Sequence, residues 1–228
     1  VKIIAINEES LLIKFSDDIT EETHLKVRAY YDILGHKEGI LSRVPSYNSL
    51  LITYDIIIYS LKEISDFIEA IQLDNQNDTS KKRILKLPVC YKLGLDLERV
   101  SEYTGLSHEE IIEIHTGRDY LIYMIGFTPG FPYLGGMDER LETPRLENPR
   151  TLVDAGSVGI GGKQTGVYPL NTPGGWNIIG RSPVDLFDKE SSKTLLKMGD
   201  YIRFYPISQS EYEVILNDKN YKVEVEIC

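Results

Sequence analysis

Residues 161–183 read GGKQTGVYPLNTPGGWNIIGRSP. Two readings of this stretch lead to two different folds. If Gly162-Lys163 were the end of a phosphate-binding P-loop, a strand would precede it and a helix would follow it. Aligned that way, Ser157 falls at the first required glycine and Gln164 where a Ser or Thr must hold magnesium. The Tyr168-Pro169 and Thr172-Pro173 pairs also forbid the helix. The stretch therefore reads as short strands and tight turns. The same texture runs on from residue 120: YLIYMIGF, SVGI, WNIIG, YIRFYPI, YEVIL and YKVEVEI are short apolar runs punctuated by Gly and Pro, with no long helical pattern. That is the signature of a β-barrel or sandwich carrying long loops.

Upstream the pattern is different. KIIAI (2–6) and LLIKF (11–15) flank a polar turn. DITEETHLKVRAYYDIL reads as a helix capped by Asp18 with Glu21 three residues on, burying Leu25, Ala29 and Ile33 and ending at Gly35. GILSRVP and NSLLITY form a second strand pair. SLKEISDFIEAIQ is a helix with a Ser60/Glu63 capping box and a stripe of Leu61, Ile64, Ile68 and Ile71. The order ββαββα predicts an antiparallel sheet with helices on one side. LDNQNDTSKKR (73–83) is a linker or loop, and ILKLPVCY opens a second unit. The expected division is residues 1–80, a small α/β domain, and residues 84–228, a mainly-β domain. Within the latter, LDLERVSEYTGLSHEEIIEIHTG holds two short helices joined at Gly105, the second with a Ser107/Glu110 box. It imitates a helix-turn-helix, but Glu109, Glu110 and Glu113 would repel a DNA groove.

Composition narrows function. The net charge of −10 argues against nucleic-acid binding. No run approaches the roughly 18 apolar residues of a membrane helix, and VKIIAINEES shows no signal-peptide pattern. Cys90 and Cys228 have no metal spacing, which fits reduced thiols in a cytoplasmic protein, with Cys90 in the core. His24, His36, His108 and His115 form no triad or metal motif, and His115 reads as structural. No catalytic residue and no metal ligand can be assigned, and Asp154 and Asp185 are weak candidates for a base. Two Thr-Pro-Gly turns with aromatics behind them, at 128–131 and 172–176, look like walls of a concave site. Nearby polar groups are Arg118, Arg145, Arg150, Lys163, Gln164, Thr165, Tyr168, Thr172 and Arg181. Arginines suit carboxylate or phosphate recognition, although Arg145 and Arg150 could equally fix surface loops and Arg181 could sit in an ion pair.

GFTPGFPYLGGMDERLETPR (126–145), AGSVGIGGKQTGVYP (155–169) and TPGGWNIIGRSPVDLFD (172–188) closely resemble the KipI/PxpB family, also called allophanate hydrolase subunit 1 or the first part of a carboxyltransferase domain. PVCY (88–91) and MGDYIRFYPI fit as well. The resemblance implies an α+β N-terminal domain followed by a cyclophilin-like β-barrel. It implies a subunit of an ATP-dependent 5-oxoprolinase, inactive alone, which opens 5-oxoproline to L-glutamate with a KipA/PxpC-like subunit and a PxpA-like protein. ATP, with magnesium, would serve the assembled complex. Opening a lactam this way needs cations for phosphates, donors for the substrate carboxylate and exclusion of water. The expected substrate or nucleotide pocket is Thr128, Phe131, Arg150, Gln164, Thr165, Tyr168, Thr172, Trp176 and Arg181. The same family also implies alternatives: an inhibitor of a sporulation sensor kinase, or a urea carboxylase-type carboxyltransferase subunit. Prolyl isomerase activity does not follow, because no histidine here is followed by arginine.

Overall fold

A computed structural model describes residues 1–73 and 82–228. Most of the expected linker (73–83) lies outside the described residues. By its internal contacts the chain divides into two compact units, Val1–Ser80 and Lys81–Cys228.

The first unit runs β1 (Lys2–Ala5), β2 (Ser10–Lys14), α1 (Glu21–Gly35), β3 (Ile40–Pro45), β4 (Ser49–Tyr54) and α2 (Leu61–Glu69). Its sheet is antiparallel in the order β1-β2-β4-β3. Leu11 and Ile13 from β2 and Leu50 and Ile52 from β4 meet Val27 and Leu34 of α1 and Ile64 and Ile68 of α2 in one core. Both helices therefore cover the same face. The Ser60/Glu63 capping box forms as the spacing predicts. Two readings of α1 need correction. Thr20, not Asp18, is the cap, its hydroxyl accepting from Thr23 N at 3.1 Å. The buried face carries His24, Val27, Tyr30 and Leu34, while Leu25 and Ile33 are exposed. Tyrosine and histidine are apolar enough to take the inward stripe, so counting aliphatics alone set the phase wrongly. Leu61 of α2 also lies outside its stripe.

The second unit contains β5 (Arg83–Val89), α3 (Leu97–Thr104), α4 (His108–Thr116), β6 (Asp119–Ile125), β7 (Pro132–Gly135), β8 (Arg150–Val153), β9 (Ser157–Gly161), β10 (Gln164–Val167), β11 (Thr172–Gly174), β12 (Asn177–Arg181), β13 (Phe187–Asp188), β14 (Lys193–Thr194), β15 (Tyr201–Pro206), α5 (Gln209–Asn217) and β16 (Glu224–Ile227). The strands do not close into a barrel. They divide among a five-stranded sheet, β16-β5-β15-β6-β7, a three-stranded sheet, β10-β9-β12, and two pairs, β11-β8 and β13-β14. Bulges interrupt the β6, β11 and β12 pairings, and β5 runs parallel to β15. The expected cyclophilin-like barrel is thus a mixed α/β arrangement of several sheets. Its main core joins Leu85, Leu87, Ile122, Val158, Ile160, Ile202 and Phe204, and Val100 of α3 and Ile111 of α4 pack into it. Cys90 is fully buried, as its apolar run suggested.

A helix also stands where YEVIL reads as a strand. Ser208 caps α5, accepting from Glu211 N, and Glu211 reaches back to Ser208 N at 2.7 Å. The Ser-x-x-Glu box outweighs the β-favouring residues behind it.

Candidate functional site in the glycine-rich strands

β9 has two faces. Val158 and Ile160 point into the main core. Gly159 and Gly161 alternate with them, and the indole of Trp176 lies over the surface they leave bare. A Cβ on Gly161 would stand 2.6 Å from that ring, and one on Gly166 of β10 would stand 3.1 Å from it. The glycines of 159–166 therefore make room for an aromatic ring rather than a phosphate. Gly162 and Lys163 form the tight β9–β10 turn, Gly162 with φ +64. Lys163 is mostly exposed and 3.8 Å from Glu142.

Around Trp176 an aromatic cluster assembles. Phe131 packs edge-on to Trp176 at 5.6 Å between centroids and to Tyr168 at 5.4 Å. Burial pushes the phenols of Tyr168 and Tyr133 above their usual pKa. The cluster floors a concavity of about 200 Å³, rimmed by Phe127, Arg145, Pro149 and Gly175. The Arg145 guanidinium sits 5.7 Å from the Trp176 ring centre, within cation–π range.

The two Thr-Pro-Gly segments differ. The first is a type II turn: Phe131 N bonds Thr128 O at 3.1 Å and Gly130 takes φ +84. The second is not a turn. Thr172–Gly174 is strand β11, paired with β8 through a bulge. Proline is tolerated at such an edge, and Gly174 is needed because a Cβ there would come within 2.5 Å of the Tyr168 hydroxyl.

A second concavity of about 240 Å³ lies between Arg150, Asp154, Ser157 and Arg181, with Leu95 and Leu152 also lining it. Its arginines are held by carboxylates. Arg150 donates to buried Asp96 at 2.6 Å, and the other Asp96 oxygen accepts from Ile178 N at 2.7 Å. Arg181 donates to Asp154 and to Ala155 O, both at 3.1 Å.

A family model described as carboxyltransferase domain, subdomain C and D, matches residues 1–197. The chain belongs to this family. It is 38% identical to the B-type subunit of 5-oxoprolinase from Bacillus subtilis over 94% of this chain and 96% of that protein. It is 36% identical to the corresponding 5-oxoprolinase subunit of Escherichia coli O157:H7 over 88% of this chain and 94% of that one. Among solved structures it is similar to TTHA0988, with a TM-score of 0.78 and 33% identity over 87% of this chain. It spans 40% of that longer protein.

In this carboxyltransferase-domain chain the expected site residues are dispersed. Phe131, Tyr168 and Trp176 meet in the aromatic concavity. Arg150 and Arg181 meet in the second one. Thr165 is fully buried in a chain of hydrogen bonds: Tyr91 OH to His115 Nδ1 at 2.7 Å, His115 Nε2 to Thr165 Oγ1 at 2.9 Å, and Thr165 Oγ1 to Gly159 O at 3.1 Å. The last bond makes the threonine hydroxyl a donor there, so His115 carries its proton on Nε2 and accepts on Nδ1. Gln164, half-buried, begins β10, and Thr172 lies on β11; neither lines either concavity. Thr128 lies in the loop between Phe127 and Phe131, its hydroxyl buried without a hydrogen-bond partner. Sequence reasoning missed Phe127 and Tyr133 as pocket residues and Asp96 as the anchor of Arg150. Asp96 precedes α3 as a cap would, but its carboxylate faces β12 instead. Asp154, a weak candidate for a base, is the ion partner of Arg181.

Proposed function

We propose that this chain is the B-type subunit of an ATP-dependent 5-oxoprolinase, acting in the cytoplasm with a KipA/PxpC-like subunit and a PxpA-like protein. The observation that supports it is the end-to-end similarity to B-type 5-oxoprolinase subunits, at 36–38% identity over nearly their whole length. The local chemistry agrees with a subunit that positions substrate and leaves bond-making to an assembled site. The aromatic concavity is dry-walled and carries one arginine, and no nucleophile paired with a base lines it. Enclosing a lactam there would exclude water and orient the ring for attack.

The aromatic concavity is not where a triphosphate would sit. A concavity of about 200 Å³ falls short of the roughly 300–1,000 Å³ of sites for drug-sized ligands. Lys163 stands on an exposed turn, 3.8 Å from Glu142. No step through ATP or magnesium is therefore built on this chain's residues.

The test is reconstitution. The chain, a KipA/PxpC-like subunit and a PxpA-like protein should together convert 5-oxoproline to glutamate with ATP consumption, and this chain alone should not. Full turnover by the other two proteins without this chain would refute the proposal.

A further inference from the structure

The second unit holds eight arginines, and seven are engaged. Arg83 pairs with Asp200, Arg118 and Arg140 with Asp138, Arg150 with Asp96, Arg181 with Asp154 and Arg203 with Asp119, while Arg99 donates to the Asn177 side chain. Arg145 is the exception. Among the described residues it has no carboxylate, amide or carbonyl partner, and its one contact of this kind is the face of Trp176. Its five N–H donors thus stay available at the mouth of a concavity whose walls are aromatic.

Another lining residue is held at a cost. Phe127 is 71% exposed and adopts φ +62. That is a left-handed backbone which a bulky residue avoids. Among the described residues the exposed ring has one aromatic partner, Phe131, edge-on at 6.0 Å. A strained, exposed aromatic and an unpaired guanidinium on one small pocket are both explained by a ligand that the two side chains share.

We infer that this pocket is a recognition site for a small cyclic carboxylate, its ring packed among Phe127, Tyr133 and Trp176 and its carboxylate bound by Arg145. The inference deepens the proposed function, since 5-oxoproline is such a molecule, and to that extent it rests on that reading. A planar guanidinium matches a carboxylate in bidentate fashion. The volume admits a five-membered ring with one substituent and excludes a whole nucleotide. Arg145 is the binding arginine of this pocket, because Arg150 and Arg181 line the other concavity and pair with Asp96 and Asp154, although Arg150 Nη1 is buried there without a partner.

Trp176 is the only tryptophan of the chain and lines the pocket, so its fluorescence reports on occupancy. The full chain is titrated with 5-oxoproline, with cyclopentanecarboxylate, which keeps the acid but lacks the amide, and with 2-pyrrolidinone, which keeps the ring amide but lacks the acid. Both acids should shift the emission saturably, and calorimetry should give the same Kd. Arg145→Gln should weaken both acids at least about tenfold and leave 2-pyrrolidinone unchanged, which is the loss of one charge-assisted contact. Phe127→Gly should weaken all three while the thermal midpoint holds or rises. A residue serving only the fold would not separate binding from stability in that direction. In the reconstituted complex Arg145→Gln should raise the KM for 5-oxoproline more than it lowers kcat. If neither acid binds, or if Arg145→Gln binds them as tightly as the parent, the inference is overturned, even when the complex turns over normally. If cyclopentanecarboxylate binds through Arg145 and 5-oxoproline does not, the pocket assignment stands with another cyclic acid as its occupant, and the 5-oxoprolinase reading is decided by the reconstitution alone.

Discussion

At the residue scale, the glycines of β9 and β10 are the part of the sequence whose meaning changes most. Each works by the side chain it lacks. Gly161→Ala places a methyl 2.6 Å from ring atoms of Trp176, and that ring, only 7% exposed, has little room to retreat. Overpacking of this kind costs about 1–3 kcal/mol. For a chain of this size that corresponds to a fall of several degrees in the thermal midpoint, about 2–4 °C per kcal/mol. Calorimetry should show the fall, and Trp176 emission should move to longer wavelength as the indole is displaced toward water. An unchanged midpoint together with unchanged emission would mean the glycine is not needed for the ring. Thr128 gives the opposite sign. Its hydroxyl is buried without a partner, a state that costs about 1–3 kcal/mol in proteins. Thr128→Val keeps the shape and removes the unpaired group, so the midpoint should hold or rise, and a clear fall would reveal a hidden partner.

At the element scale, legibility follows from how local the determining forces are. The boxes at Ser60 and Ser107 and the Gly105 turn, with φ +75, were readable because each is settled within four residues. The Ser208 box was equally local, yet YEVIL behind it reads as β-favouring, and the cap decided the outcome. Ser208→Ala should therefore loosen α5 by about 1 kcal/mol. Amide hydrogen exchange should quicken in Gln209–Asn217 and not in β9; uniform exchange across both would contradict a local cap. The second Thr-Pro-Gly was misread for the reverse reason. Its conformation is set by pairing with β8, which is distant in sequence, and by the Tyr168 hydroxyl packed against Gly174. Phe131, Tyr168 and Trp176 were legible beside the glycine-rich turns, whereas Phe127 and Tyr133 were not. The sequence puts Arg150 and Arg181 in the expected pocket and leaves Arg145 out, and spacing does not show that Arg150 and Arg181 each meet a carboxylate across the fold. Asp96 shows how far that partnership reaches: its carboxylate ties the start of α3 to β8 and β12. Asp96→Ala would leave Arg150 and the Ile178 N–H unpaired at once. The half-exposed arginine moderates the loss to about 2–3 kcal/mol, below the 3–5 of a fully buried pair, measurable as a shift in the urea midpoint.

At the scale of the whole molecule, each unit contains one histidine buried in neutral form, and together they set the response to acid. In the second unit His115 is fully buried between Tyr91, Thr165 and Tyr120 and stacks on Phe204 at 4.6 Å between centroids. Burial pulls its pKa down to about 3. In the first unit His24 is buried on α1, and burial, with Arg28 nearby, pulls its pKa down to about 4. An unfolded histidine titrates near 6.5. Above that pH neither state binds the proton, and both histidines leave stability at its full value. As the pH falls below about 6.5 the unfolded chain gains protons that the folded chain refuses, so stability drops by up to about 1.4 kcal/mol per pH unit for each histidine. The histidines' share of the loss should continue to about pH 4 in the first unit and about pH 3 in the second, with carboxylates such as Asp119, held low by Arg203, adding to the loss at the acid end. Urea unfolding followed from pH 7.5 to 4.5 should show this decline. His115→Gln, destabilised at neutral pH by its altered contacts, should lose stability less steeply, because the group that discriminates between the two states has gone. The proton resonances of the two rings offer the direct check. Neither should titrate between pH 8 and 5 in the folded chain, and a His115 resonance moving with a midpoint near 6.5 would show that the Tyr91–His115–Thr165 chain does not hold the ring neutral.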